Sequence, residues 1–139
     1  MRRELFDRPR HTAAESEFVH RVAHAVIRRL LQRGASAISD ATNLIEFHRE
    51  WLYRLAAQTE AHLLIVRVTA PEEIVRQRLA GRKTAPSPQE WSEATWDVYL
   101  RMKHTEEPIG RPHITVSMDG DPAPAVQKVL RAARQLLKP

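Results

Sequence analysis

The sequence predicts an α/β domain of three layers, α/β/α, in which a parallel β-sheet lies between helices. Helical patterns alternate with short apolar runs along the chain, and this alternation is typical of parallel sheets with crossover helices. The run at residues 63–68 is almost continuously apolar, as is typical of a parallel strand covered on both faces. The length of 139 residues fits a single domain, residues 1–139, with its own apolar core.

Composition restricts the class of protein. The absence of cysteine excludes disulfides, thiolate catalysis and Cys-ligated zinc, and it suits the reducing cytoplasm, where we expect the protein. No apolar run approaches the roughly 20 residues of a membrane span, and we expect no signal peptide and no membrane partner. The net charge of +5 favours anionic partners such as nucleotides, phosphates or nucleic acid without choosing among them. A solvated, arginine-rich surface is the alternative.

The first predicted elements are a helix and a strand. Apolar pairs recur every four positions across residues 18–31, which predicts a helix of about four turns. Gly34 predicts the end of this helix, because glycine is favoured just after a helix. Residues 35–39 then predict a short strand that leads into Asp40.

A second helix is predicted after Asn43. Asn43 is expected to be its N-cap, and Glu46, three residues later, completes the pattern of a capping box. The residues expected on the inner face of this helix are Phe47, Trp51, Leu52, Leu55 and Ala56.

The strand at residues 63–68 is followed by a helix that is predicted from Glu72 to about Arg82. Residues 83–88 are polar and contain proline, which predicts a loop. A fourth helix is predicted to start at residues 87–90. Its expected inner face consists of Trp91, Ala94, Thr95, Val98 and Met102.

The last predicted elements are a strand and a helix. Glu106 and Glu107 are expected in a solvated turn, and residues 113–116 predict the last strand. Residues 121–122, Asp-Pro, predict the start of the final helix. Its expected inner face consists of Ala125, Val126, Val129, Leu130 and Ala133.

Three segments of the chain resemble the P-loop kinase family, which includes polynucleotide kinase-like, zeta-toxin-like and small-molecule kinases. Residues 37–44, Ala-Ile-Ser-Asp-Ala-Thr-Asn-Leu, with Arg49 and residues 52–56 after them, resemble the family's third strand and the helix behind it. Residues 68–82 resemble the strand and helix that lead into the family's arginine-bearing lid. This lid is expected at approximately residues 78–104.

The third segment comprises residues 107–108, 114–116 and 118–120, and it is similar to the family's last strand and the turn after it. The three segments and the stretches between them cover most of residues 1–130. The resemblance implies a P-loop NTPase-type fold and the transfer of a phosphoryl group from ATP to a hydroxyl or another small-molecule acceptor.

The resemblance also implies roles for individual residues, each with a structural alternative. Asp40 would be catalytic, positioning the magnesium water shell or the acceptor, or it caps a turn. Asn43 and Arg49 would bind the acceptor, or they are a helix cap and a solvated arginine. Arg78 and Arg82 lie four apart on one helix face. They would clamp phosphate, because guanidinium groups fork onto phosphate oxygens, or they complement a helix end.

The family's phosphate-binding loop has no counterpart in the sequence. That loop reads Gly-x-x-x-x-Gly-Lys-Ser/Thr and wraps the phosphates with backbone N–H groups. None of the four glycines stands in this pattern; they are Gly34, Gly81, Gly110 and Gly120. Residues 81–84, Gly-Arg-Lys-Thr, copy only its ending and are expected at a helix end.

Two further positions depart from the family pattern. Residues 2–6 resemble the start of the helix after the family's second strand, where many members read Asp-x-x-Arg. If Arg2 matches that arginine, the aspartate, which is the implied base, would lie ahead of Met1. Ser117 stands where the family's last strand often carries aspartate.

We therefore predict an incomplete P-loop NTPase-type domain that lacks the first strands. It would be the C-terminal portion of a kinase-like phosphotransferase and inactive alone. The alternative is a non-catalytic module that recognises a phosphate-bearing ligand or a protein partner.

Predictions about cofactors and partners follow from this interpretation. ATP and Mg²⁺ belong to the complete family domain, and no cofactor is expected in this chain. His20 and His24 are four apart but lack convincing further ligands, so no metal site is expected. A nucleotide or phosphorylated small molecule would bind weakly, and nucleic acid stays open as a partner that the sequence does not indicate. The family's usual strand order, 2-3-1-4-5, would leave a vacant central position, which a homodimer could fill.

Overall fold

The computed structural model describes residues 5–7, 10, 12–84 and 94–137, with the backbone alone at residues 82–84. It confirms the α/β class with a parallel sheet. The elements in chain order are α1 (Ala13–Gln32), α2 (Glu46–Gln58), β1 (Val66–Thr69), α3 (Glu72–Thr84), α4 (Trp96–His104), β2 (Ile114–Ser117) and α5 (Ala123–Leu136).

The chain divides into two compact units. Unit 1 consists of Met1–Thr42 and His48–Ala61, and unit 2 consists of Asn43–Phe47 and His62–Pro139. Unit 1 therefore contains α1 and most of α2, and unit 2 contains the sheet with α3, α4 and α5. No helix within the described residues is long and apolar enough to cross a membrane.

Helix α1 has capping hydrogen bonds at each end. The Thr12 side chain accepts a hydrogen bond from the N–H of Glu15 at 3.2 Å, which caps the first turn. Gly34 adopts a φ of 74°. The N–H groups of Gly34 and Ala35 donate back to carbonyl groups of the last turn, in the arrangement of a Schellman motif. The predicted end of the helix at Gly34 is confirmed.

The buried face of α2 differs from the predicted one. Its buried residues are Arg49, Tyr53, Leu55 and Ala56. Phe47 and Trp51, which were expected inside, are 65% and 49% exposed. Arg49, Tyr53 and Ala56 follow the spacing of one helix face, so the inner face is rotated away from Phe47 and Trp51. The prediction is confirmed for Leu55 and Ala56 and is wrong for Phe47 and Trp51, because it counted apolar residues and left out a buried arginine and a tyrosine.

The predicted strand at residues 35–39 is wrong. These residues form neither helix nor strand. The side chain of Ile38 is 95% exposed, so the most apolar residue of the segment contributes little burial. A strand is stabilised by pairing with a neighbour and by burying at least one face, and neither occurs here in the described structure.

The sheet of unit 2 is formed by β1 and β2, which run parallel with Val66 opposite Ile114 and Thr69 opposite Ser117. Val116 is buried, whereas Val68 is 63% exposed. The prediction that the first of these strands is covered on both faces is therefore wrong, and residues 63–65 precede the strand instead of belonging to it.

The helices of unit 2 follow the predicted order. Helix α3 covers the predicted range. Helix α4 begins at Trp96, because Thr95 is its N-cap and accepts the N–H of Val98 at 3.4 Å. The predicted helix start at residues 87–90 lies outside the described residues. Helix α5 begins as predicted, since the Asp121 carboxylate accepts the N–H of Ala123 at 3.0 Å.

Glu106 and Glu107 are exposed and lie outside the helices and strands, as expected of a solvated turn, but each also makes a specific contact. Arg67 donates to the Glu106 carboxylate at 2.7 Å. The first N–H of α2, from Glu46, donates to the Glu107 carboxylate at 2.6 Å, and the Glu107 N–H donates to the carbonyl of Leu44 at 2.9 Å. The cap of α2 thus comes from a distant residue. Asn43, the predicted N-cap, lies three residues before the helix and has a φ of 39°.

Candidate functional site

The carboxyl ends of β1 and β2 form the best-defined polar edge of unit 2. Thr69 ends β1 and pairs with Ser117, which ends β2. The Thr69 hydroxyl donates to the Val116 carbonyl at 3.2 Å, and the Met118 N–H donates to the Thr69 carbonyl at 2.7 Å. These bonds fix the backbone where the chain leaves both strands. Open α/β sheets bind ligands outside the carboxyl ends of their strands.

Arg78 connects α3 to this edge. Its Nη2 donates to the carbonyl of Met118 at 2.8 Å, directly after β2. A guanidinium group has five N–H donors, and the described bond involves only one of its nitrogens. The side chain is exposed. The sequence thus delivers a positive charge from the helix after β1 to the edge where β1 and β2 end.

A small cavity of about 240 Å³ lies beside β2 and the start of α5. Its polar lining residues are Thr115, Ser117, Asp119, Asp121 and Lys128. Lys128 donates to the Thr115 carbonyl at 2.7 Å. Sequence reasoning treated Asp119 only as part of a turn, and it missed Asp121 and Lys128 as lining residues. The Asp-Gly-Asp sequence that follows the last strand could have indicated these lining residues, since polar turns after strands line such edges.

The predicted site residues fall in both units. Asp40 is exposed in unit 1, outside any helix or strand, and Arg49 is in unit 1 with only 5% of its surface exposed. Asn43 and Arg78 belong to unit 2. The side chain of Arg82 lies outside the described structure. Arg78 is the predicted residue that the structure brings to the sheet edge; Arg49 is not the solvated arginine that the alternative interpretation expected.

Residues 81–84, which copy the ending of a phosphate-binding loop, do not form such a loop. Residues 81–84 lie inside α3, where backbone N–H groups donate to carbonyl groups four residues earlier. They cannot wrap a triphosphate in this conformation. Among the described residues, no group of three or more His, Cys, Asp or Glu side chains is arranged to hold a metal ion. We therefore derive no catalytic step through ATP or magnesium.

The helices and the parallel strands define an α/β domain with a polar edge where the strands end. The comparison with family models agrees: a model described as an AAA domain matches residues 1–105, which is more than half of the chain. The chain belongs to this AAA domain family, and the predicted P-loop NTPase-like nature of the domain is confirmed at that level. No curated protein and no solved structure gives a significant match.

Proposed function

We propose that these 139 residues carry the lid and the acceptor side of a P-loop kinase-like phosphotransferase, and that they do not transfer phosphate on their own. The supporting observation is the bond from Arg78 to the Met118 carbonyl. It holds a guanidinium group at the edge of the sheet where a phosphate would be bound. The AAA domain match supports the nucleotide-related class, and the kinase reaction is our inference.

In this proposal, Arg78 and Arg82 bind phosphate together. They are four positions apart on α3, which places them on one helix face. Guanidinium groups form paired hydrogen bonds with phosphate oxygens and keep their charge at all physiological pH values. Phosphoryl transfer depends on positioning and on electrostatic stabilisation. Because the sequence contains no phosphate loop, most of that stabilisation must come from elsewhere.

The acceptor would be bound by the other predicted residues. Asp40 is exposed and would position the acceptor or a water around the metal. Asn43 tolerates its positive φ because its short side chain is compatible with the left-handed region. Arg49 is 5% exposed, so a direct contact with the acceptor requires local opening. An Arg49 substitution that changes stability more than acceptor affinity would assign it to the fold.

The genomic sequence ahead of Met1 gives the simplest test. We expect the reading frame to continue upstream into a Gly-x-x-x-x-Gly-Lys-Ser/Thr segment, and the extended protein to hydrolyse or transfer the γ-phosphate of ATP. In that protein, Arg78→Ala should lower kcat/KM for ATP by about ten- to a hundredfold, because a hydrogen bond from a charged group contributes roughly 1.5–3 kcal/mol.

The matched control is Arg76→Ala. Arg76 belongs to the same helix, and its guanidinium lies over the ring of Trp96, 5.4 Å from the ring centroid. Arg76→Ala should leave kcat/KM within about twofold, a change below 0.5 kcal/mol, because the described contact of Arg76 is with Trp96 and not with the sheet edge. Equal effects of the two substitutions, or an upstream sequence without the loop in any frame, would reject the proposal and favour a non-catalytic binding module.

A further inference from the structure

Unit 1 contains an open groove of about 290 Å³ that none of the predicted roles involves. Helix α1 lines it with Arg21, His24 and Arg28. Helix α2 lines it with Trp51, Arg54 and Gln58. We call this set the arginine groove. Its volume is close to the lower end of small-molecule sites, about 300–1,000 Å³, so a ligand the size of a phosphate monoester would fit.

The charge of the arginine groove is positive and is not offset by its own lining. No aspartate or glutamate lines it. Arg28 donates to the side-chain oxygen of Gln58 at 2.8 Å, and Arg54 donates to the backbone carbonyl of Glu50 at 3.3 Å. Both described acceptors are neutral. The guanidinium groups of Arg28 and Arg54 are therefore held in place without a described carboxylate partner in the groove.

The aromatic and imidazole rings add order to the same surface. The guanidinium carbon of Arg54 lies 4.9 Å from the centroid of the Trp51 ring, a distance typical of a cation–π contact. The ring of His24 stacks on Trp51 with a centroid distance of 6.0 Å. Side chains that are already ordered lose less entropy when a ligand binds. Binding in this groove is therefore favoured over binding to a surface arginine that is mobile.

Three histidine rings, of which His24 lines the groove, lie close together in unit 1. His20 lies next to His48, with ring centroids 5.2 Å apart, and His24 is 6.1 Å from His20. Partial burial, followed by repulsion from His20 and His48, lowers the pKa of His24. An anion in the groove would oppose that repulsion.

We propose that the arginine groove binds a small ligand through a phosphate monoester group, with Arg28 and Arg54 as the principal donors and Arg21 as a third positive charge. A dianion suits three guanidinium groups better than a singly charged carboxylate does, and its tetrahedral oxygens accept paired N–H donors from more than one arginine. The inference is independent of the proposed phosphotransfer, because the groove uses none of the residues assigned to the sheet edge.

Nuclear magnetic resonance titration of the full chain tests this inference. Inorganic phosphate and adenosine 5′-monophosphate should each give saturable shifts at the indole N–H of Trp51 and at the His24 ring. Adenosine, which lacks the phosphate, should give none. The double variant Arg28→Gln/Arg54→Gln should weaken phosphate binding by at least about tenfold, since each charge-assisted hydrogen bond contributes more than a tenfold change in affinity.

The matched control, Arg131→Gln/Arg134→Gln, removes the same charge from α5 in unit 2. It should leave the dissociation constant within about twofold, a change of under 0.5 kcal/mol. Equal weakening in both double variants would show general charge attraction and overturn the proposal. Shifts confined to unit 2, or adenosine binding as tightly as its monophosphate, would also overturn it. Thermal unfolding of each variant is measured as well, so that only folded proteins are compared.

Discussion

His24 is a residue whose environment should make stability depend on pH. Its partial burial and the nearby His20 and His48 lower its pKa below 6.5. The unfolded chain therefore takes up a proton at a higher pH than the folded chain does. The effect of His24 on stability is absent above about pH 6.5. Below it, stability decreases as the pH falls toward the lowered pKa of His24 in the folded chain.

We expect the free energy of unfolding, measured with urea, to be smaller at pH 5 than at pH 7.5. His24→Gln removes the titrating group and should reduce that difference, because glutamine takes up no proton when the chain unfolds and does not repel the rings of His20 and His48. Circular dichroism at several pH values between 5 and 8 measures it. An undiminished pH dependence in the variant would show that His24 does not cause it.

Glu106 and Glu107 are neighbours with different expected contributions. Glu107 accepts the first N–H of α2 at 2.6 Å, where a carboxylate also interacts favourably with the helix dipole. The ion pair of Glu106 with Arg67 is 38–43% exposed, and exposed pairs contribute little.

Glu107→Ala should therefore lower the free energy of unfolding by about 1–2 kcal/mol, the usual range for a lost helix cap. The neighbouring Glu106→Ala is the control and should change it by no more than about 1 kcal/mol. Urea denaturation at neutral pH compares the two. A larger loss for Glu106→Ala than for Glu107→Ala would contradict the assigned roles.

At the scale of elements, the end of α1 depends on one backbone conformation. Gly34 has a φ of 74°, and a Cβ at Gly34 would meet no atom within 4 Å. The strain of a substitution would thus come from the backbone alone. Gly34→Ala should lower stability by about 1–2 kcal/mol, the cost of placing a non-glycine residue in the left-handed region.

Gly120→Ala is the matched control, because its position also has open space and does not have a positive φ. It should change stability by less than about 0.5 kcal/mol. The thermal midpoints of the two variants, measured at equal concentration, compare the sites. Equal losses would mean that the conformation of Gly34 does not limit the end of α1.

The elements also show which features a sequence can predict. The end of α1 at Gly34 and the start of α5 at Asp121 follow from local chemistry, because the capping bonds join residues close in sequence. The cap of α2 could not be predicted, because Glu46 and Glu107 are 61 positions apart. Residues 35–39 have strand-like composition, but pairing depends on partners elsewhere in the fold.

The candidate site divides in the same way. The run of residues 63–69 and the helix after it identified the segment that carries Arg78, but its bond to Met118 spans 40 positions and emerges only in the folded chain. The burial of Arg49 has the same origin, since polar residues enter a core only where tertiary contacts satisfy them. The arginine groove was also not predicted, because its residues come from two helices.

The chain as a whole belongs to the AAA domain family and yet contains no phosphate-loop sequence. The only glycine followed by an arginine, a lysine and a threonine lies in α3, so the described residues contain no loop conformation for a triphosphate there. Val68 of β1 is 63% exposed, which is unusual for a parallel strand. A homodimer that adds a strand to this sheet stays a prediction.

Isothermal titration calorimetry of the 139-residue chain with ATP and Mg²⁺ tests whether the chain can hold a nucleotide without a phosphate-binding loop. Without backbone N–H groups and a lysine around the phosphates, we predict a dissociation constant in the millimolar range or no measurable heat, and no phosphorylated product with any acceptor. Saturable micromolar binding by a single copy that persists in the Arg28→Gln/Arg54→Gln variant, or phosphoryl transfer at an ordinary enzymatic rate, would contradict it.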